Sequence, residues 1–311
     1  MKFKILVQIS ILALMPIFVY ADNKNWQKLE SEANQGNADA QEKLALRYIN
    51  GDDTPKNLVK AYDLLKKSAE QGNAYGKIGL GKLYLYGQGV KQDFSASRKC
   101  FKEAFDILNS QITENKGEVY YSLAQLYLNG NGVKQDDTKA EQWFRKAAER
   151  YREETNNKND DSMMHLGNMY LKGLGVKQDT QKALYYFEIA AQNGNVLAQI
   201  KLSSLYMDLE QYQSAMNWLL RAEKQNSTYA QYLIGTLYGY GLGVEKNEEL
   251  MISWITKSAE NGNERAQIEL GRIYSEGLFG TEKSMLQARK YYSLASKQNN
   301  LEAKELLDQL E

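Results

Sequence analysis

The chain has 311 residues, with 39 Lys and Arg against 39 Asp and Glu, one His, two Pro and one Cys. Balanced charge with no basic block argues against nucleic-acid binding, which needs clustered cations to neutralise phosphates. A lone Cys100 excludes an internal disulfide, so stability has to come from apolar packing. At the N-terminus, Lys2 and Lys4 precede an almost wholly apolar run from Ile5 to Tyr20, and Val19-Tyr20-Ala21 puts small residues where a signal peptidase reads. This pattern predicts a signal peptide over residues 1–21, cleaved after Ala21. The apolar run is broken by Pro16 and is shorter than the ~20 residues a spanning helix needs. A periplasmic or secreted protein without stable membrane insertion is therefore expected. Losing Lys2 and Lys4 leaves an excess of two negative charges, and Asp22 gives no lipidated cysteine.

Residues 22–311 read as a single repeat array. Tyr48, Tyr84, Tyr127, Tyr170, Tyr206, Tyr238 and Tyr274 recur at spacings of 36, 43, 43, 36, 32 and 36 residues, each four residues after a Leu or Ile. A fixed period of this size marks a solenoid. Apolar residues fall at helical spacing, as in Leu166, Met169 and Tyr170, and define a first helix, A, in each unit. A glycine turn follows, for example Gly87-Gln88-Gly89-Val90-Lys91-Gln92-Asp93. Its glycines suit left-handed backbone after a helix end, and its Asp suits an N-cap. A second helix, B, then carries a large residue seven positions after the cap: Leu64, Cys100, Trp143, Tyr186, Trp218, Trp254 and Tyr291. A small residue comes four later, from Ser68 to Ala295. This predicts a ridge beside a groove, with Cys100 in the core. The units run near 37–71, 73–117, 118–161, 162–194, 195–225, 226–262 and 263–298. Trp26 to Gln35 and Leu301 to Leu310 read as half-unit capping helices.

The pattern A-x-x-x-L-G-x-x-Y-x-x-G-x-G-V-x-x-D, then A-x-x-W/Y-Φ-x-x-A-A and G-N, resembles the Sel-one-like repeat, a branch of the tetratricopeptide-type solenoids, over residues 36–300. The resemblance implies an all-α fold, a right-handed superhelical α/α solenoid of about seven helix-turn-helix repeats with helix A on the concave wall. It also implies an adaptor or scaffold for protein partners, without catalytic residues or cofactors. One bacterial branch of that family has a disulfide per repeat. This chain departs from it, and no activity of that branch carries over.

Two irregularities interrupt the period. Unit five lacks the glycine turn, Tyr206 running into Asp208-Leu209-Glu210-Gln211, which predicts a local tightening. Units two and three are seven residues longer, around Phe105 to Gly117 and Arg150 to Asp161. Insertions on one edge mark a binding side; the plainer reading is a longer, solvated helix B. The positions one before and two after the Leu, and two after the Tyr, form one helical stripe that varies between units. Its centre, Lys82, Tyr86, Gln125, Asn129, His165, Asn168 and Lys172, is the expected partner-binding surface. His165, at a position filled elsewhere by Lys43, Gly79, Ser122, Lys201, Leu233 or Glu269, reads as a polar surface residue. A lone His is no metal site. The Gly-x-Gly elements follow helices, not strands, and do not match a dinucleotide loop. The favoured function is an exported protein-binding adaptor with no chemistry of its own. The alternatives are a periplasmic immunity protein neutralising a secreted toxin, and an envelope hydrolase acting on a lactam or peptidoglycan.

Overall fold

The computed structural model describes residues 26–51, 56–156, 159–298 and 300–310. The expected signal peptide lies outside the described residues. Among the described residues the regular structure is helical, with no strand. Helix α1 (Trp26–Asn34) leads into seven antiparallel pairs. The A helices are α2 (Ala38–Asn50), α4 (Ala74–Tyr86), α6 (Gly117–Asn129), α8 (Asp160–Lys172), α10 (Val196–Asp208), α12 (Thr228–Tyr240) and α14 (Glu264–Glu276). The B helices are α3 (Leu58–Glu70), α5 (Phe94–Ser110), α7 (Asp137–Thr155), α9 (Thr180–Gln192), α11 (Tyr212–Glu223), α13 (Glu248–Glu260) and α15 (Met285–Ser296). Helix α16 (Leu301–Asp308) closes the stack.

Each boundary has a local cause. Asp93, Asp136, Asp179 and Asn247 cap the B helices as their chemistry predicts, the carboxylate or amide oxygen accepting from a first-turn N–H at 2.9–3.0 Å. The A helices start on Asn or Ser caps in six of the seven units, among them Asn37, Asn73 and Asn195. The first glycine of each turn, such as Gly130 with φ +66°, ends helix A in left-handed backbone. The second has a tertiary role: a Cβ on Gly132 would run into the backbone of Phe101 in the preceding B helix. In unit five Glu210 takes the left-handed conformation in place of a glycine (φ 58°), and the Gln211 N–H donates to the Tyr206 carbonyl at 2.8 Å, shortening the turn.

The core runs through the stack as linked apolar clusters. The small groove residues Ser68, Ala104, Ala147, Ala190, Ala222, Ser258 and Ala295 are fully buried, as expected. In six of the seven units the ridge is displaced by one residue; in unit seven Tyr291 and Tyr292 are both buried. The deep anchors are Leu65, Phe101, Phe144, Phe187, Leu219 and Ile255, whereas Leu64, Cys100, Trp143, Tyr186, Trp218 and Trp254 are half-buried. Position eight after the cap points at the facing A helix, and position seven is turned 100° away, toward the edge of the stack. There Lys146, Arg221 and Lys257 lie 4.5, 4.4 and 5.0 Å from the ring centroids of Trp143, Trp218 and Trp254. Cys100 is accordingly an edge residue; burial, with Glu103 adding to it, pushes its thiol pKa up and keeps it protonated.

Two features have no sequence signal. Glutamines lock the two helices of a unit together and to the unit before: Gln225 donates to Gln199 Oε1 at 3.1 Å and to the Gly194 carbonyl, and Gln298 to Gln267 Oε1 at 2.8 Å and to the Gly262 carbonyl. The first unit also meets the last. The Lys56 N–H donates to Gln298 Oε1 at 2.9 Å, and Lys56 Nζ lies 3.6 Å from Glu264. The insertions are helical: α5 has 17 residues and α7 has 19, against 13 in α3, α9 and α13.

Candidate interaction site on the A-helix wall

The expected stripe is brought onto one wall but is not uniformly open. Tyr86 is 66% exposed, and Asn129 is exposed with its Nδ2 donating to the Gln125 carbonyl. Gln125 donates to the Tyr121 hydroxyl at 3.2 Å. Lys82 is half-buried; burial pushes its ammonium pKa down to about 8, against the opposing pull of Glu42. Partial burial also lowers the Lys172 ammonium, while Lys201 is pushed down to about 8 by burial first and by Lys172 second.

Two stripe residues face packing instead of a partner. Asn168 is 1% exposed and its Nδ2 donates to the Met164 carbonyl at 2.8 Å. His165 is not a surface residue of the ordinary kind. Its ring stacks on Tyr151 at 4.9 Å between centroids and 1° between planes, with Tyr121 at 5.2 Å. One ring edge remains open, but desolvation holds the imidazole neutral, with a pKa lowered to about 4, and Nδ1 has no hydrogen-bond partner.

Two clefts of this wall lie at the N-terminal ends of the A helices. The first, about 250 Å³, is lined by Asp39, Glu42 and Lys43 of α2, Tyr75 of α4, and Glu114, Lys116 and Glu118 before and on α6. The second, about 220 Å³, shares Lys116 and Glu118 and adds Tyr151 and Glu154 of α7 and Asp161 and His165 of α8. Of the seven expected residues only His165 lines either cleft. The insertions contribute directly: Glu114 and Lys116 come from the added segment of unit two, paired at 2.6 Å, and Tyr151 and Glu154 from the extra turns of α7. Glu154 is tied to its surroundings by Arg150 Nε at 3.2 Å and by the Ser162 hydroxyl, which donates to it at 2.6 Å.

Glu42 is the outlier. It is 4% exposed, and burial followed by the neighbouring Glu118 raises its carboxyl pKa to about 8, with Lys43 pulling the other way. Its place, four residues into helix A, holds Ile78, Tyr121, Met164, Ile200, Tyr232 and Ile268 in the other units. That substitution was legible in the repeat register, which the stripe positions do not include. Among the described residues no group of three metal-ligating side chains converges.

Seven copies of the Sel1 repeat match the chain, over residues 38–73, 74–106, 117–151, 160–195, 196–227, 228–263 and 264–300. The chain belongs to the Sel1 repeat family. Sel1 repeat proteins are helical-repeat scaffolds for protein interaction. Among solved structures, a Sel1 repeat protein from Oxalobacter formigenes is 25% identical with a TM-score of 0.52, over 87% of this chain and 98% of that one. A protective antigen present in uropathogenic Escherichia coli strains, with an SLR fold, is 26% identical over 93% of this chain and 67% of its own, at a TM-score of 0.47. An immunity protein from Pseudomonas aeruginosa is 22% identical over 64% of this chain and 75% of its own, at 0.44.

Proposed function

We propose that this Sel1 repeat protein is an exported adaptor, which binds one partner protein along the A-helix wall and performs no covalent chemistry. The observation that carries this reading is the contrast between frame and surface. The packing positions recur in every unit, while the positions facing outward on the A helices differ from unit to unit. A rigid frame with a varied wall recognises by shape and charge complementarity, not by a common reactive group. Export rests on the apolar segment at residues 5–20 and its small-residue cleavage pattern.

The test is affinity capture of the tagged protein from native envelope extract, with cross-links mapped by mass spectrometry. One dominant partner cross-linked to units one to four is the expected result. Recovery without any protein cross-link to the wall overturns the reading. Neutralisation of a secreted toxin is a narrower form of the same function. Its distinguishing result is a stoichiometric complex with one toxin, together with loss of protection when the wall is altered.

A further inference from the structure

The two clefts form one acidic tract. Asp39, Glu42, Glu114, Glu118, Glu154 and Asp161 line it against Lys43 and Lys116, and Glu118 stands between the halves. Three of these acids have an ordinary explanation. Asp39, Glu118 and Asp161 sit in the first turns of α2, α6 and α8, where a carboxylate is favoured by the helix dipole. Glu42 and Tyr151 have no such explanation. Glu42 lies a turn deeper, 4% exposed, in a slot that is apolar or aromatic in the other six units. Tyr151 is 2% exposed, lines the second cleft, and has a hydroxyl without a partner; His165 Nδ1 beside it is likewise unsatisfied. Burying polar atoms unpaired costs stability, and a group docking in the second cleft would relieve the Tyr151 hydroxyl and His165 Nδ1.

We propose that the paired clefts receive two cationic side chains, lysines above all, from a basic segment of the partner protein. The volumes suit one long side chain each, and the walls supply several oxygen acceptors to an ammonium. The clefts belong to adjacent units. Neighbouring helices pack roughly 8–10 Å apart, a distance that about three residues of extended chain cover. The partner segment therefore carries its lysines about three residues apart. A cation in the first cleft meets Glu42 together with Asp39 and Lys43 of α2, Glu114 and Lys116 before α6, and Glu118 of α6, while Lys82 of α4 acts on Glu42 from beside it. Lys43 and Lys82 both pull the Glu42 carboxyl down, but burial and Glu118 outweigh them. Glu42 is largely protonated at neutral pH and ionises when the ammonium docks, so binding releases a proton.

This inference rests on the protein-partner reading, and the experiment separates the two. The probe is a fluorescein-labelled ten-residue peptide with two lysines three residues apart in an alanine and serine background. It is compared by anisotropy with versions carrying glutamine or glutamate at both positions. The lysine peptide is expected to bind about tenfold tighter than the glutamine peptide, and Glu118→Gln to remove about tenfold of that affinity, as for a close charge pair at an interface. Glu70→Gln, on the exposed face of α3, leaves affinity unchanged. Calorimetry at pH 7 in buffers of different ionisation heat should register proton release in the parent and none in Glu42→Gln. That measurement on the parent keeps the test decisive even if Glu118→Gln fails to fold.

Equal binding of the lysine and glutamine peptides, an unaffected Glu118→Gln, or absence of proton release overturns the assignment. So does displacement of the peptide by spermidine at concentrations below those of the unlabelled peptide, which would make a free polyamine the occupant. A captured protein that cross-links to the wall but is indifferent to Glu118→Gln sinks the lysine clefts and leaves the adaptor reading standing. Peptide binding without any captured protein does the reverse.

Discussion

Glu42 and His165 are two side chains whose burial is chemically expensive, and they act in opposite directions with pH. In the unfolded chain Glu42 titrates near 4.5 and in the fold near 8. The folded state thus holds a proton that the unfolded chain gives up, and stability falls as pH rises from about 4.5 through 8. At roughly 1.4 kcal/mol per unit the full effect reaches at most about 5 kcal/mol. Glu42→Gln is therefore expected to be about 2–4 kcal/mol more stable than the parent at pH 9 and within about 1 kcal/mol of it at pH 4.5, read from urea midpoints. His165, depressed from 6.5 to about 4, behaves inversely. The unfolded chain takes up a proton that the fold refuses, so stability is lost as pH falls from about 6.5 to 4. Replacing His165 by Gln should flatten that acid limb by on the order of 2 kcal/mol while leaving the profile above pH 7 unchanged. A position where substitution stabilises is characteristic of a residue kept for binding and not for folding.

At the scale of the element, the glycine turn separates two requirements that look alike in sequence. Gly36 and Gly132 both have left-handed backbone, φ +95° and +72°, but a Cβ on Gly36 meets nothing within 4 Å and one on Gly132 strikes the Phe101 backbone. Gly36→Ala is expected to lose only the conformational term, about 1 kcal/mol. Gly132→Ala adds a clash that a backbone cannot relieve by changing rotamer and should lose on the order of 3 kcal/mol or more. Chemical denaturation of the two variants checks the order. The lengthened α5 and α7 show the same dependence on context. Their extra turns are helical but not simply solvated: Leu108 of α5 is fully buried in the core, and Tyr151 and Glu154 of α7 form one wall of a cleft.

The whole molecule adds the meeting of its first and last units. A solenoid otherwise touches only its neighbours, and its stability is a sum of unit and interface terms. Lys56 contacts Gln298, 242 positions along the chain, and also Glu264. The ion pair is partly exposed, with side chains 28% and 19% accessible, so removing it should change stability by less than about 1 kcal/mol. Its effect belongs to shape. Lys56→Glu places like charges at the junction and is expected to lengthen the distance between labels on units one and seven, by energy transfer or small-angle scattering. Raised salt should lessen the difference between parent and variant. An unchanged distance would show that the curvature is set by the unit interfaces alone.

Reading the chain residue by residue was enough to obtain the solenoid, its seven units, the caps at both ends, the left-handed backbone of the turn glycines and the capping by Asp93, Asp136 and Asp179. Each of these is encoded within some forty residues and repeated, so local propensity and periodicity agree. Glu42 was legible too, as an acid in an apolar register, although the A-helix stripe passes it by. The deep anchor one residue past Trp143, the stacking of His165 on Tyr151 and the burial of Asn168 depended on the rotation of one helix against the next, which a half-apolar period does not resolve. The clefts and the contact of Lys56 with the last unit depended on more still. They arise from the inserted turns and from small rotations summed over seven interfaces, and no local pattern carries that sum.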